Sequence, residues 1–113
     1  MKIAFFSTKP YDKLFFELEN ELYGFHLNFY ETHLGPHIVN AIEDEKVVCV
    51  FVNDKLNRQV IEVLARKGVQ LIALRCAGFN NVDLLAAKKF GIQVCRVPAY
   101  SPEAVAEHTM AML

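Results

Sequence analysis

The chain has 113 residues, with twelve Lys and Arg against thirteen Asp and Glu for a formal charge of -1. That length suits one domain with a modest core, and a near-neutral balance without long one-signed blocks argues against nucleic acid or a polybasic membrane contact as its main partner. Cys49, Cys76 and Cys95 are odd in number, lie in or beside apolar runs and show no CxxC spacing, so they read as reduced thiols rather than a disulfide framework or zinc site.

In chain order, MKIAFF contributes a short apolar strand, IAFF (3–6), and STKPYDK stops it well short of a signal-peptide core. Pro10 opens a helical pattern in which Leu14, Phe15, Leu18 and Leu22 recur at three and four residues, and Gly24 ends it. FHLNFYE (25–31) alternates Phe25, Leu27 and Phe29 on one face, the pattern of an edge strand with a wetter side. GPHIVNAIEDE supplies a short helix with Ile38, Val39 and Ile42 turned inward.

VVCVFV (47–52) is apolar throughout and rich in β-branched residues, as a strand covered on both faces requires. A helix near 56–67 presents Leu56, Val60, Val63 and Leu64 on one face and stops at Gly68. LIAL (71–74) is a second doubly buried strand, Asp83 caps a helix over LLAAKKF that Gly91 ends, and IQVCRV (92–97) is a fifth strand. Ser101, Pro102 and Glu103 form one more helix start. Five strands alternating with helices predict right-handed crossovers and a flavodoxin-like three-layer α/β sandwich, its parallel sheet ordered 2-1-3-4-5. MAML breaks off within a helical pattern, so Leu113 is expected to interrupt a longer protein. No stretch approaches the roughly 20 apolar residues of a membrane span, and a soluble cytoplasmic protein is expected.

Ligands of open α/β sheets sit beyond the carboxyl ends of the strands. The loops there are STKP, NDK, RCAGFNN and PAYSPE. Asp54 is placed as the phosphorylatable aspartate of a receiver domain would be, but Ser7, Thr8 and Pro98 occupy the partner loops. A flavin phosphate loop needs glycine in STKPYD, and no GxGxxG or GxxxxGK[ST] occurs. His33 and His37 are four apart, yet Gly35 and Pro36 spoil a shared face, so no metal site is predicted. His108 beside Glu107 has no partner geometry for acid/base work.

The turn RCAGFNNVD (75–83) carries more polar equipment than a connection needs. Ala77 and Gly78 are small enough for backbone N–H groups to approach an anion such as a carboxylate, but composition alone favours the plainer reading, in which Gly78 only supplies a positive φ and Asn80 and Asn81 hold the turn through local side-chain bonds. Arg75 is expected to cover the sheet end by pairing with a neighbouring acid. Tyr100 is placed either to donate to an anionic oxygen or to pack over a strand end. Phe51 lies at the exit of the third strand, as a size gate or as an ordinary core ring.

The segment ALRCAGFNNVDLLAAKKFGIQVCRVPAYSPEAVAEH (73–108), with KIAFFSTKPYDK and VFVND, resembles the N-terminal part of the NAD-dependent D-2-hydroxyacid dehydrogenase family, its D-lactate dehydrogenase branch in particular. The resemblance implies a flavodoxin-like substrate-binding domain over residues 1–100 and, over 101–113, the start of an interdomain helix leading to a Rossmann domain outside this sequence. It implies that Ala77, Gly78 and Tyr100 meet the substrate carboxylate and that Phe51 lines a pocket suited to a small 2-keto acid such as pyruvate, with D-lactate as product. The family's catalytic arginine, its glutamate–histidine pair and its glycine-rich loop match nothing here, so the chain carries no catalytic, cofactor-binding or metal residues. NAD is expected to bind mainly to the second domain, the segment alone to be inactive, and the complete enzyme to be a homo-oligomer. Competing readings are another D-2-hydroxyacid dehydrogenase, or a stand-alone carboxylate-binding module without catalysis.

Overall fold

The computed structural model describes residues 1–51, 53–75, 81–96 and 110. The apolar runs become five short strands: β1 (Lys2–Phe5), β2 (His26–Phe29), β3 (Val47–Val50), β4 (Leu71–Leu74) and β5 (Gln93–Arg96). They form one parallel sheet in the order β2-β1-β3-β4-β5, the flavodoxin-like arrangement expected. β2, β3 and β5 are shorter than the runs predicted for them, β4 matches its run, and β1 keeps the predicted length but starts one residue earlier. Phe6 and Phe51 are apolar but lie past the ladder.

Successive strand residues point to opposite faces, which divides the core in two. On one face Ala4, Val48, Val50, Ile72 and Leu74 pack against α2 (Arg58–Arg66) and α3 (Leu84–Lys89) through Val60, Ile61, Leu64, Ala86 and Ala87. A 3-10 turn at Val39–Ala41 joins this layer, burying Val39 and Ile42 with Ile38 half-buried beside them, as their spacing predicts. On the other face Ile3, Phe5, Val47, Cys49 and Ala73 pack against Phe16 and Met110, with Phe25, Leu27 and Phe29 of the β2 edge alongside. All four residues of β3 are buried, which its uninterrupted apolar composition requires.

Helix caps follow the local chemistry. Asp83 accepts a hydrogen bond from Ala86 N at 3.0 Å, as predicted for α3, and Asn57, which the sequence reading passed over, does the same for Val60 N at 3.0 Å. The predicted stops Gly68 and Gly91 adopt φ of +89° and +76°, a region open to glycine without a Cβ clash. Ser101, Pro102 and Glu103 lie outside the described residues.

The first helix differs from its predicted face. Helix α1 (Pro10–Asn20) buries Phe16, whereas Leu14, Leu18 and Leu22 are 54%, 52% and 77% exposed. Of the predicted stripe Phe15 packs on the core, half-buried beside Phe16, whose own neighbours at helical spacing, Asp12, Lys13, Glu19 and Asn20, are polar. The Phe16 ring sits 4.4 Å from Phe5, which in turn stacks on Phe29 at 5.0 Å, an aromatic surface that branched leucines fill less completely. The helix also ends at Asn20 rather than running to Gly24, with Asn20 bonding back and forth to the Phe25 backbone.

Cys49 and Cys95 are free thiols, buried and half-buried, while Cys76 lies outside the described residues. Burial pushes the Cys49 thiol from 9.0 up to about 12. Two outcomes follow. Phe16→Ala is expected to cost about 3–5 kcal/mol by urea denaturation, against a change near zero for Leu14→Ala. Cys49 is expected to resist alkylation at pH 8 in the folded protein, as peptide mapping will show. Its contribution to stability is complete below pH 9 and declines as pH rises towards 12, because only the unfolded chain releases that proton.

Candidate functional site

Three loops meet beyond the carboxyl ends of β1, β2 and β3, and a buried carboxylate ties them together. Asp54 has no exposed surface. Its Oδ1 accepts hydrogen bonds from Ser7 Oγ at 2.7 Å and Leu34 N at 2.6 Å, and its Oδ2 accepts from Phe51 N at 2.6 Å. The sequence drew attention to Asp54 as a receiver-type aspartate, but these donors surround it with structural bonds.

Ser7 adopts φ of 55°, the left-handed region that a residue with a Cβ enters at a cost. Its backbone N–H to Thr32 O at 2.9 Å and its hydroxyl bonds hold it there. The hydroxyl has one proton, given to Asp54, so the 2.7 Å contact with His33 makes Nδ1 of that ring the donor to Ser7 Oγ. Serine, histidine and aspartate thus converge without forming a nucleophilic triad, since the serine proton faces the carboxylate rather than the imidazole.

Arg75, 4% exposed, lies across the same end of the sheet. It donates through Nη2 to Phe6 O and approaches Asp12 Oδ2 with Nη1 at 3.6 Å, the acid pairing predicted for it. Its guanidinium also lies 5.6 Å from the centre of the Phe51 ring, within cation–π range. Asn81 corrects the reading of its turn. Its Nδ2 reaches Phe51 O at 2.9 Å and Asp54 O at 3.1 Å, so it clasps a different loop instead of making local bonds.

Of the predicted substrate contacts, Phe51 is half-buried, packed partly on the core and partly open at the sheet end. The reading of that ring as a core residue therefore applies to the part packed on the core. Ala77, Gly78 and Tyr100 lie outside the described residues. The N-terminus of α1 is capped by the Asp12 carboxylate, which accepts from Lys9 N at 2.9 Å. The sequence signal for Asp54 was a lone acid in a loop after a buried strand; its partners, 20 and 47 residues away, had no visible link to it.

The family model for the D-isomer specific 2-hydroxyacid dehydrogenase catalytic domain matches residues 3–111. The chain belongs to this family. It is 58% identical over all 113 residues to a 2-hydroxyacid dehydrogenase homolog of Haemophilus influenzae and 52% identical to D-lactate dehydrogenase of Escherichia coli, covering 34% of each. The chain therefore spans about a third of the length of the curated relatives it matches. The apo-structure of an Escherichia coli D-lactate dehydrogenase superimposes with a TM-score of 0.85 at 53% identity, over 99% of this chain and 36% of that one. The pyruvate reductase of Chlamydomonas reinhardtii gives 0.81 at 42% identity, over 99% and 33%. Membership in the dehydrogenase family gives the loop cluster a context: it occupies the edge of the sheet where ligands of this architecture bind.

Removing the hub should be costly. Asp54→Ala leaves two backbone donors and a hydroxyl without their acceptor and is expected to destabilise by at least about 3 kcal/mol. Ser7→Gly loses the two hydroxyl bonds, to Asp54 and from His33, but relieves the positive φ, and is expected to cost under about 2 kcal/mol. Urea midpoints of the two variants give the comparison.

Proposed function

We propose that this chain is the substrate-binding segment of a D-lactate dehydrogenase, which when complete reduces pyruvate to D-lactate with a hydride from NADH. The observation that carries the reading is the end-to-end match to D-lactate dehydrogenase of Escherichia coli, 52% identical over every residue. Residues 1–100 are read as the substrate-binding domain and 101–113 as the start of a helix towards a dinucleotide-binding domain.

In this reading the turn at Ala77 and Gly78 receives the substrate carboxylate on backbone N–H groups, and Tyr100 reaches the same anion. Buried Arg75 supports an anionic guest, since a cation at the rim of an apolar sheet end attracts negative charge even when partly offset by Asp12. Phe51 bounds the pocket for the substrate side chain, and an aromatic ring there favours a methyl group over a branched chain by roughly 1–3 kcal/mol per excluded methylene. Hydride transfer, proton donation and dinucleotide binding are assigned to sequence outside these 113 residues. We also place the complete enzyme in the cytoplasm as a homo-oligomer; no helix among the described residues is long and apolar enough to cross a membrane.

A second reading, another D-2-hydroxyacid dehydrogenase, draws on the Haemophilus influenzae relative, which is 58% identical and carries the broader family description. Loss of NADH absorbance separates the two. The complete protein is expected to consume NADH with pyruvate in preference to branched 2-keto acids, and the 113-residue chain to consume none. Preference for a branched acid would transfer the assignment to the second reading, and turnover by the short chain would overturn the division of labour.

A further inference from the structure

We infer that Asn81 is a positioning residue for substrate selectivity: its carboxamide fixes the turn from Phe51 to Asp54, and thereby how far the Phe51 ring reaches into the pocket. The inference rests on the pocket role proposed above for Phe51. That residue lies just beyond β3, where the ladder no longer holds the backbone. Its N–H goes to Asp54 Oδ2 at 2.6 Å, and its carbonyl accepts from Asp54 N at 3.0 Å and Asn81 Nδ2 at 2.9 Å. One carboxylate and one carboxamide therefore determine the direction of its Cα–Cβ bond.

Asn81 suits this role because of what a primary amide offers. Both of its N–H groups are used, one on each carbonyl at the ends of the turn, Phe51 O and Asp54 O at 2.9 and 3.1 Å. A hydroxyl has one proton and a carboxylate none, so neither Ser nor Asp can bridge two carbonyls in this way. The base of the clasp is firm. Asn81 O accepts from Leu56 N at 2.9 Å, Leu56 O accepts from Asp83 N at 3.0 Å, and buried Val82 pairs with buried Leu56 between them.

The remaining freedom of Phe51 is rotation of its side chain, and Arg75 restrains that. The guanidinium lies 5.6 Å from the ring centre and is itself anchored to Phe6 O and beside Asp12. With the ring seated on the core and held by the cation, a change in its reach requires the turn to move. Asn81 is the side chain that holds both ends of that turn from outside it.

The test uses the complete enzyme with Phe51→Ala, Asn81→Ala, Asn81→Asp and the double variant Phe51→Ala/Asn81→Ala. The kcat/KM values for pyruvate and for 4-methyl-2-oxopentanoate are measured and their ratio taken. Phe51→Ala is expected to shift that ratio at least about tenfold towards the branched acid. Each single Asn81 variant should shift it in the same direction by about three- to tenfold, and the double variant should shift it no further than Phe51→Ala alone. Asn81→Asp keeps the side-chain shape, and Asn81→Ser provides the answer where Asn81→Ala is not recovered folded. Equal loss for both substrates, or shifts that multiply in the double variant, would show a merely structural clasp and overturn the inference while leaving the pocket role of Phe51 in place. No shift in Phe51→Ala would remove the pocket role and the inference together, a result distinct from a wild-type enzyme that fails to reduce pyruvate.

Discussion

Three loops at the carboxyl end of the sheet depend on one buried carboxylate. A fully buried aspartate without partners would be strongly unfavourable; Asp54 instead accepts from Ser7, Leu34 and Phe51 at 2.6 to 2.7 Å. Because those donors come from the segments following β1, β2 and β3, satisfying the carboxylate and fixing the three segments are one event. Arg75 and Asn81 add a second tie from the far side of β4, through Phe6 O and through the carbonyls of Phe51 and Asp54. The strained backbone of Ser7 is tolerated within this network.

Much of the scaffold was legible because its signals are local. β-branched apolar runs gave the strands, and glycine marked where α2 and α3 end. The buried face of α1 was misread because the periodic apolar signal lies on Leu14, Leu18 and Leu22, whereas Phe16 has polar neighbours at helical spacing and is selected by the aromatic surface of Phe5 and Phe29. The polar cluster was harder to read for a different reason. A carboxylate that bonds residues 20 and 47 positions away leaves no periodic trace, and an asparagine in a turn gives the same composition whether it bonds locally or to a loop 30 residues distant.

Family membership and the observed network bear on different parts of the proposed site. The relatives, D-lactate dehydrogenases among them, give the family, and the carboxylate seat proposed above lies in the turn after β4. The described residues show how Phe51 is set, by hydrogen bonds to its peptide groups and a cation beside its ring. Under the role proposed for that ring, substrate size is tied to polar groups that need not touch the ligand.

The order in which the Asp54 bonds occur along the chain has its own consequence. Ser7, Leu34 and Phe51 all precede the residue they bond, so every donor to the hub has been synthesised when Asp54 is added. The strands β2, β1 and β3, adjacent in the sheet, are complete at the same stage. Asn81, by contrast, closes on the hub from downstream, after α2 and β4 have been made. Vectorial synthesis therefore delivers the inner knot as one contiguous N-terminal unit and its outer fastening later.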